Sequence, residues 1–135
     1  MFQLSKKVEY GLIAMRHMAS GPNGQIYTAK EIAQRYQISH DLLSKVMQKL
    51  AKEGFTSSYQ GIHGGYTLVR DPRSVTVSSV IQAIEGRSSV TIVQCGATGA
   101  DDCTIQSTCT IKDPLVKLQG SINQMFDEIT VMQLV

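Results

Sequence analysis

The sequence lacks the long apolar runs and the catalytic residue patterns that mark several common classes of protein. No run of about 18 apolar residues is present, so we expect no membrane-spanning helix. The opening M-F-Q-L-S-K-K-V-E-Y has no continuous apolar region of the kind found in signal peptides, and we therefore expect a cytoplasmic protein. The sequence also has no supported Ser/His/Asp or Cys/His arrangement and no phosphate-binding glycine loop that opens a helix, so we do not expect an enzyme.

Cysteine is scarce, and its distribution is uneven. Cys95, Cys103 and Cys109 are the only three cysteines among 135 residues, and they lie within 15 consecutive residues. The stretch C-G-A-T-G-A-D-D-C-T-I-Q-S-T-C has no apolar periodicity, which indicates a loop. Three thiols on one loop favour binding of a soft metal or an iron–sulfur cluster. Because such a cluster normally takes four ligands, the fourth must come from elsewhere, for example from a second subunit.

Other interpretations of the cysteine loop stay open on the residues alone. A zinc site is one, although the spacing C-x7-C-x5-C lacks the close C-x2-C pair that structural zinc sites usually have. A thiol–disulfide switch between two of the three cysteines is another, whereas structural disulfides favour an even count and a secreted protein. Inert surface cysteines are disfavoured because exposed thiols are reactive.

The charge is distributed asymmetrically between the two halves of the chain. Residues 1–75 carry ten Lys or Arg against five Asp or Glu, whereas residues 76–135 carry three against six. A basic front half beside an acidic back half fits a nucleic-acid-binding surface joined to a second unit. A solvated basic face is the ordinary alternative, so charge alone does not decide the function.

The apolar periodicity and turn signals of the front half predict a winged helix-turn-helix, which makes the fold mainly α with a small β-hairpin wing. A capping box, an N-cap serine and a glycine-rich loop mark the boundaries of the elements. The predicted elements are helix 4–19, a short helix opened by Thr28 and Glu31, a tight turn at 37–38, helix 40–52 behind Ser39, and strands 55–59 and 66–69 joined by loop 60–65.

The back half predicts a short helix that ends at Gly86, the cysteine loop, and a long C-terminal helix. Asp113-Pro114 has the N-cap and N1 residue types that start this last helix. Within the helix, apolar residues repeat every seven positions in two series, which indicates a seam for a partner helix and favours a homodimer over docking on the helix's own domain. The series are Leu115, Ile122 and Ile129, and Leu118, Met125 and Met132. We therefore divide the chain into a winged domain, 1–86, a cluster-binding loop, 87–112, and a dimerisation helix, 113–135.

The polar face of helix 40–52 and the glycine-rich loop are the candidate DNA contacts. A helix in the major groove reads base edges mainly from its N-terminal half, while cations further along, here Lys49 and Lys52, would meet phosphates. A glycine loop lets the backbone approach phosphates or a minor groove closely. A solvated helix face and a flexible hairpin turn are the alternatives. The candidate residues are Ser39, His40, Ser44, Lys45, Gln48 and Lys49 in the helix region and Gln60, Gly61, His63 and Gly64 in the loop.

Several stretches of the sequence form a specific set: E-I-A-Q-R-Y-Q-I-S, L-S-K-V-M-Q-K-L, G-G-Y-T-L and V-I-Q-A-I-E-G. Together with the opening S-K-K-V-E-Y-G-L-I-A-M and the three-cysteine loop, this set resembles the family of bacterial regulators that includes IscR, NsrR, RirA and CymR. The resemblance implies a homodimer that binds a double-stranded DNA operator and holds iron–sulfur clusters in its cysteine loops. One departure is Gln60, where many relatives carry an arginine at the wing.

Under this resemblance Cys95, Cys103 and Cys109 are the cluster cysteines, and their spacing is closest to the RirA type. Lys112 stands where IscR-like members carry a histidine, three residues after the last cysteine. In the NsrR type an acidic residue from the first helix of the other subunit completes the cluster, and the matching residue here is Glu9. The resemblance therefore implies Glu9 as the fourth ligand of a 4Fe-4S cluster, with 2Fe-2S as the alternative.

We expect a regulator whose cluster reports iron, redox state or nitric oxide. The first alternative is a cluster-free thiol switch on the same fold, for which the odd number of cysteines is the main support. The second is a cluster-free regulator controlled by binding a metabolic enzyme, in the manner of CymR. Visible absorption separates a cluster from a pair of thiols.

Overall fold

The computed structural model describes residues 3–86 and 110–135, and this part of the chain forms six helices and one hairpin. The helices are α1 (Lys6–Ser20), α2 (Ala29–Tyr36), α3 (His40–Lys52), α4 (Val77–Glu85), α5 (Lys112–Glu128) and α6 (Val131–Leu134), and the strands are β1 (Thr56–Tyr59) and β2 (Gly65–Leu68). The order confirms the predicted winged helix-turn-helix. The three cysteines lie outside the described residues.

Local hydrogen bonds start the first three helices. Helices α2 and α3 begin where the sequence predicts, whereas α1 begins at Lys6, two residues after its predicted start. The Ser5 side chain accepts from the Val8 N–H at the start of α1. Thr28 and Glu31 form both hydrogen bonds of a capping box at the start of α2. Ser39 accepts from the Leu42 N–H at 3.3 Å at the start of α3. Each cap satisfies an amide that has no partner inside its helix, so these starts follow from residues three positions apart.

The hydrophobic core lies where the first four helices meet. Each helix contributes its apolar stripe, and Leu42, which the periodicity predicts to be buried, is only partly covered. A methyl group at Gly11 would overlap the Ile84 side chain, so the absence of a side chain there lets α1 and α4 approach closely. The largest fully buried side chains of these helices are Met15, Ile32, Leu43, Met47, Leu50, Ile81 and Ile84.

The wing is an antiparallel hairpin with the register Thr56↔Leu68 to Tyr59↔Gly65. At its tip the Gly64 N–H donates to the Gly61 carbonyl at 3.0 Å, which closes a tight turn. Gly61 has φ +103°, a conformation that side chains disfavour, and a Cβ on Gly64 would lie 2.5 Å from the Tyr59 carbonyl oxygen. The two glycines are therefore required by the geometry of the turn.

The C-terminal segment differs from its prediction at both ends. The N-cap position is Ile111, without a side-chain cap, so the assignment of Asp113 as the N-cap is wrong and this residue lies in the first turn. The prediction of one helix to residue 135 is also wrong, because Ile129 and Thr130 are extended and separate α5 from α6. The run Ile-Thr-Val at 129–131 is β-branched, which favours this extended backbone.

The extended residues pair with the chain just before α4. Thr130 forms a β-bridge with Thr76, and the Val131 N–H donates to the Val75 carbonyl at 2.8 Å. Val131 is fully buried, and Arg16 donates from Nε to the Leu134 carbonyl at 2.6 Å. The C-terminal end is therefore held on the winged domain. Within the described ranges, no helix is long and apolar enough to cross a membrane.

Candidate nucleic-acid interface and cluster ligands

Helix α3 presents one polar face to solvent while its opposite face is buried. His40, Lys45 and Gln48 are exposed, and Ser44 is partly exposed between them. His40 Nε2 lies 3.5 Å from Ser44 Oγ, which places these two side chains one turn apart on the same face. The predicted base-contacting residues of α3 therefore share a single accessible stripe. Ser39 lies at the helix start, where its hydroxyl oxygen serves the N-cap.

Lys49 is positioned differently from its neighbour Lys52. The Lys49 Nζ donates to the Ile84 carbonyl at 2.8 Å, at the C-terminal end of α4, where unpaired helix carbonyls favour a cation. Lys52 is exposed in the last turn of α3. The sequence treats both lysines as candidate phosphate contacts, but the structure gives Lys49 an additional contact that joins α3 to α4.

The wing tip brings the predicted loop residues to one exposed end of the hairpin. Gln60, Gly61 and His63 are exposed, and Gly64 is partly covered by the turn. The base of the wing is attached to the end of α3, because the Phe55 N–H donates to the Leu50 carbonyl at 3.0 Å. The helix and the hairpin are therefore joined directly at this end of α3.

Arg70 strengthens this link and was not predicted from the sequence. Its guanidinium carbon lies 4.2 Å from the centre of the Phe55 ring, and its Nη2 donates to the Glu53 carbonyl at 3.2 Å. The residue covers the end of α3 from the strand side, in a cation–π contact. A basic residue directly after a strand carries no signal of such a contact until the hairpin is folded back on the helix.

Glu9 lies in the first turn of α1, and its carboxylate pairs with Lys6 at 2.9 Å. The hydrogen bond to Glu9 and the charge of its carboxylate raise the pKa of Lys6. Ser5 of the same turn donates to a carboxylate oxygen of Glu85, the last residue of α4. The beginning of α1 therefore lies beside the point where the chain enters residues 87–109, which carry the cysteines.

The described residues do not by themselves complete a metal site. Residues 3–86 and 110–135 contain no group of three or more His, Cys, Asp or Glu side chains arranged to hold a metal ion. The predicted ligands Cys95, Cys103 and Cys109 fall outside these ranges, so Glu9 is the one predicted ligand whose surroundings are described. The Glu9 side chain is 37% exposed, and its carboxylate contacts Lys6 of the same turn.

His17 joins α1 to the helix-turn-helix unit and is a second feature that the sequence did not reveal. Its Nδ1 lies 2.8 Å from the Tyr36 hydroxyl oxygen, and its ring makes edge contacts with Tyr27 and Tyr36. Burial lowers the pKa of His17, and the positive charge of Arg35 lowers it further, while Glu31 opposes both. The neutral imidazole is therefore the favoured form between these helices.

Comparison with known proteins identifies one family and several similar chains. The family model Rrf2, described as an iron-dependent transcriptional regulator, matches residues 4–135. The HTH-type transcriptional regulator NsrR of Shouchella clausii (strain KSM-K16) is 26% identical over 133 residues, which cover 98% of this chain and 88% of the relative.

Several solved structures are similar over almost the whole chain, among them a CymR and an IscR. CymR (YrzC), the global cysteine regulator of B. subtilis, has a TM-score of 0.77 and 25% identity, with coverage of 99% of this chain and 96% of that chain. IscR of T. potens has a TM-score of 0.69 and 29% identity, with coverage of 98% and 85%. Both likenesses agree with the winged-helix architecture.

Proposed function

Because this chain belongs to the Rrf2 family of transcriptional regulators, we propose that it is a homodimer that binds operator DNA under the control of an iron–sulfur cluster. Members of this family are regulators, and the chain is not an enzyme. The observation that carries the proposal is the insertion of a three-cysteine segment between α4 and α5 of a winged helix-turn-helix.

The exposed stripe of α3 is the proposed reader of base edges. Lys45 and Gln48 carry a cation and an amide, which suit the hydrogen-bonding edges of guanine and adenine in the major groove. Lys52 and the wing backbone would contact phosphates on either side. Since Lys49 already donates to the Ile84 carbonyl, its main proposed role is to position α3 rather than to bind phosphate.

The donor set of the chain fits an iron–sulfur cluster. Cys95, Cys103 and Cys109 would supply three thiolates, and Glu9 of the partner subunit would supply a carboxylate, a harder ligand that exchanges more readily than a thiolate. When bound, the cluster supplies sensitivity to oxidation and to iron supply, and 4Fe-4S is favoured over 2Fe-2S. The family description as iron-dependent supports this assignment.

The end of α4 offers a direct route from the cysteine segment to the DNA-binding surface. Ile84 accepts from Lys49 of α3, and Glu85 accepts from Ser5 of α1, immediately before the chain enters the segment. A change in residues 87–109 would therefore act on both helices through one short element. Such a change alters operator affinity only if contacts differ between the states with and without the cluster. The hydrogen bonds of Ile84 with Lys49 and of Glu85 with Ser5 are the proposed contacts that differ.

The test of the cluster proposal is anaerobic purification followed by visible absorption and assays of iron and sulfide. Cys103→Ala should prevent stable assembly because it removes a strong thiolate ligand. Glu9→Ala should retain the three thiolates but lose the cluster faster under oxygen or chelator. Lys6→Ala is the matched control, because it breaks the Lys6–Glu9 pair and leaves the carboxylate in place. A colourless, iron-free wild-type protein would refute the cluster, whereas wild-type decay in Glu9→Ala would refute only the fourth ligand.

A cluster-free thiol switch is the second candidate, and the likeness to the global cysteine regulator CymR favours it. In that case two of the three cysteines would form a disulfide on oxidation, and operator affinity would follow the thiol state. Colourless protein whose DNA binding changes reversibly with dithiothreitol and diamide would support this candidate. Control by a bound metabolic enzyme would leave both treatments without effect.

A further inference from the structure

A cavity of about 380 Å³ lies where the winged domain meets the C-terminal segment. Its walls come from the end of α1, loop 22–25, strand β2, the turn 69–73 and Met132 of α6. The described lining includes no residue of α3 or of the wing tip. The volume falls in the range of small-molecule sites, which combine apolar walls with a few polar groups.

The apolar part of the cavity is built from residues of three different elements. Met18 of α1 is buried, whereas Val69 and Met132 are 56% and 38% exposed. The Met132 N–H donates to the Pro72 carbonyl at 3.3 Å, which holds α6 beside the turn after β2. Exposed apolar side chains that border a cavity favour a ligand with an apolar body.

Tyr27 is a buried lining residue whose hydroxyl has no hydrogen-bond partner within residues 3–86 and 110–135. The residue is 6% exposed, and its ring packs edge-on against His17 with the ring centres 5.2 Å apart. A methyl group at Gly21 would overlap the hydroxyl and would lie 3.5 Å from Gln25 Oε1, so both polar groups flank the same point. Buried tyrosine hydroxyls usually have a partner, and a ligand atom in the cavity would supply one.

The charged groups that line the cavity are two arginines and one carboxylate. Arg73 is exposed, and its guanidinium makes no ion pair or hydrogen bond with the described part of the chain. Arg70 lines the same cavity, although its Nη2 donates to the Glu53 carbonyl. Asp71 Oδ1 accepts from the Arg73 backbone N–H at 2.9 Å, so one oxygen of this carboxylate is already used within the turn. Two cations against one carboxylate favour an anionic ligand group.

We propose that this cavity binds a small organic carboxylate with an apolar body, at a ligand site separate from the cluster and from DNA. The Arg73 guanidinium and the Tyr27 hydroxyl donate to the carboxylate, and the apolar body lies against Met18 and Met132. The fork of donors on an arginine matches the two oxygens of a carboxylate. Because the walls come from α1, β2 and α6, the ligand contacts the winged domain and the C-terminal segment together.

The experiment titrates the whole chain, labelled at its methionine methyl groups, with hexanoate and benzoate and with the amide of each acid. The acids should shift the NMR signals of Met18 and Met132 and leave that of Met47, which is buried in the core, unchanged. Each amide keeps the apolar body but lacks the charge, so it should bind at least about tenfold more weakly. If neither acid shifts the two signals, or if acids and amides bind equally, the proposal is overturned. The titration uses no DNA, so its failure leaves the proposed function intact.

Two variants locate the bound acid at this cavity. Tyr27→Phe keeps the ring and removes only the hydroxyl, so the Kd of the acid should rise about fivefold. Arg73→Gln removes the cation and should raise the Kd about tenfold, and this exposed position carries the test even if Tyr27→Phe loses stability. Tyr66→Phe and Arg35→Gln are the matched controls, because neither residue lines the cavity, and both should bind as wild type does. Wild-type affinity in Arg73→Gln would place the acid elsewhere and overturn the proposal.

Discussion

Helices α3 and α5 are both amphipathic, yet they use their apolar stripes in different ways. In α3 the apolar stripe packs inside the subunit, and its buried residues are Leu43, Val46, Met47 and Leu50. Helix α5 has no buried residue at all, and Leu118 and Met125 are 49% and 47% exposed on one side of it. Helix α3 buries its apolar face within the chain and leaves only its polar face for partners. Helix α5 keeps apolar surface that a partner could cover.

The largest expected effect tests that uncovered surface. Leu118→Glu together with Met125→Glu would place unpaired charges between apolar side chains if α5 forms the dimer seam, so association should weaken at least roughly 100-fold. Asp127→Lys is the control, since Asp127 is exposed on the opposite side of the helix. Sedimentation equilibrium gives the oligomeric state. A double variant that stays dimeric would assign the interface to another part of the molecule.

The second effect tests the polar face of α3. Lys45→Ala with Gln48→Ala removes hydrogen-bonding groups that face base edges, so the free energy of DNA binding should weaken by about 1–3 kcal/mol for each lost base contact and sequence preference should relax. Both side chains are exposed, so the variant should still fold. Footprinting on a selected operator measures both changes. Circular dichroism serves as the control, since the fold should be unaffected. Unchanged footprints would show that α3 does not read the bases.

A smaller difference separates two lysines of the same helix. Lys49→Ala removes the hydrogen bond to Ile84 and should lower the free energy of unfolding by about 1 kcal/mol without changing the salt slope of DNA binding. Lys52→Ala should leave the free energy of unfolding unchanged and reduce the salt slope of DNA binding by about one. Urea unfolding and a salt titration of binding measure the two quantities. If the salt slope were reduced equally in both variants, Lys49 would also contact a phosphate, and the assigned difference between the two lysines would be wrong.

The smallest effect concerns the junction that supports the helix-turn-helix unit. The pKa of His17 is lowered in the folded state from its ordinary 6.5, so its contribution to stability is present above about pH 6.5 and is lost as pH falls through the folded-state pKa. His17→Gln should therefore lose less stability than wild type between neutral and acidic pH. His40→Gln keeps His17 and is the matched control. Thermal unfolding across pH gives the comparison.

The front half could be predicted from the sequence because its signals are local. The capping box of α2 and the Ser39 cap each depend on residues three positions apart, and the α3 stripe repeats within two turns. The break at 129–130 could not be predicted in this way. The seven-residue repeat continues across the break, and the extended conformation depends on pairing with Thr76, more than fifty residues earlier.

The residues of the candidate site also divide into those set by local sequence and those set by the packing of distant elements. Exposure of Lys45 and Gln48 follows from their place on the helix, so the sequence is sufficient for them. The contacts of Lys49 with Ile84 and of Arg70 with Phe55 depend on how distant elements pack, and a cation on a helix or after a strand gives no sign of them. The roles of the three cysteines and of Glu9 stay predictions.

The bridge between Thr76 and Thr130 holds the C-terminal end of α5 against the winged domain and can act as a pivot for the helix. The 17 residues of α5 span about 25 Å, and the pivot lies at the C-terminal end of the rod, while the cysteine segment joins the other end. A tilt of about 10° at the pivot would displace the start of α5 by about 4 Å. A small change in the angle between α5 and the winged domain would thus become a displacement of several ångströms at the N-terminal end of this helix.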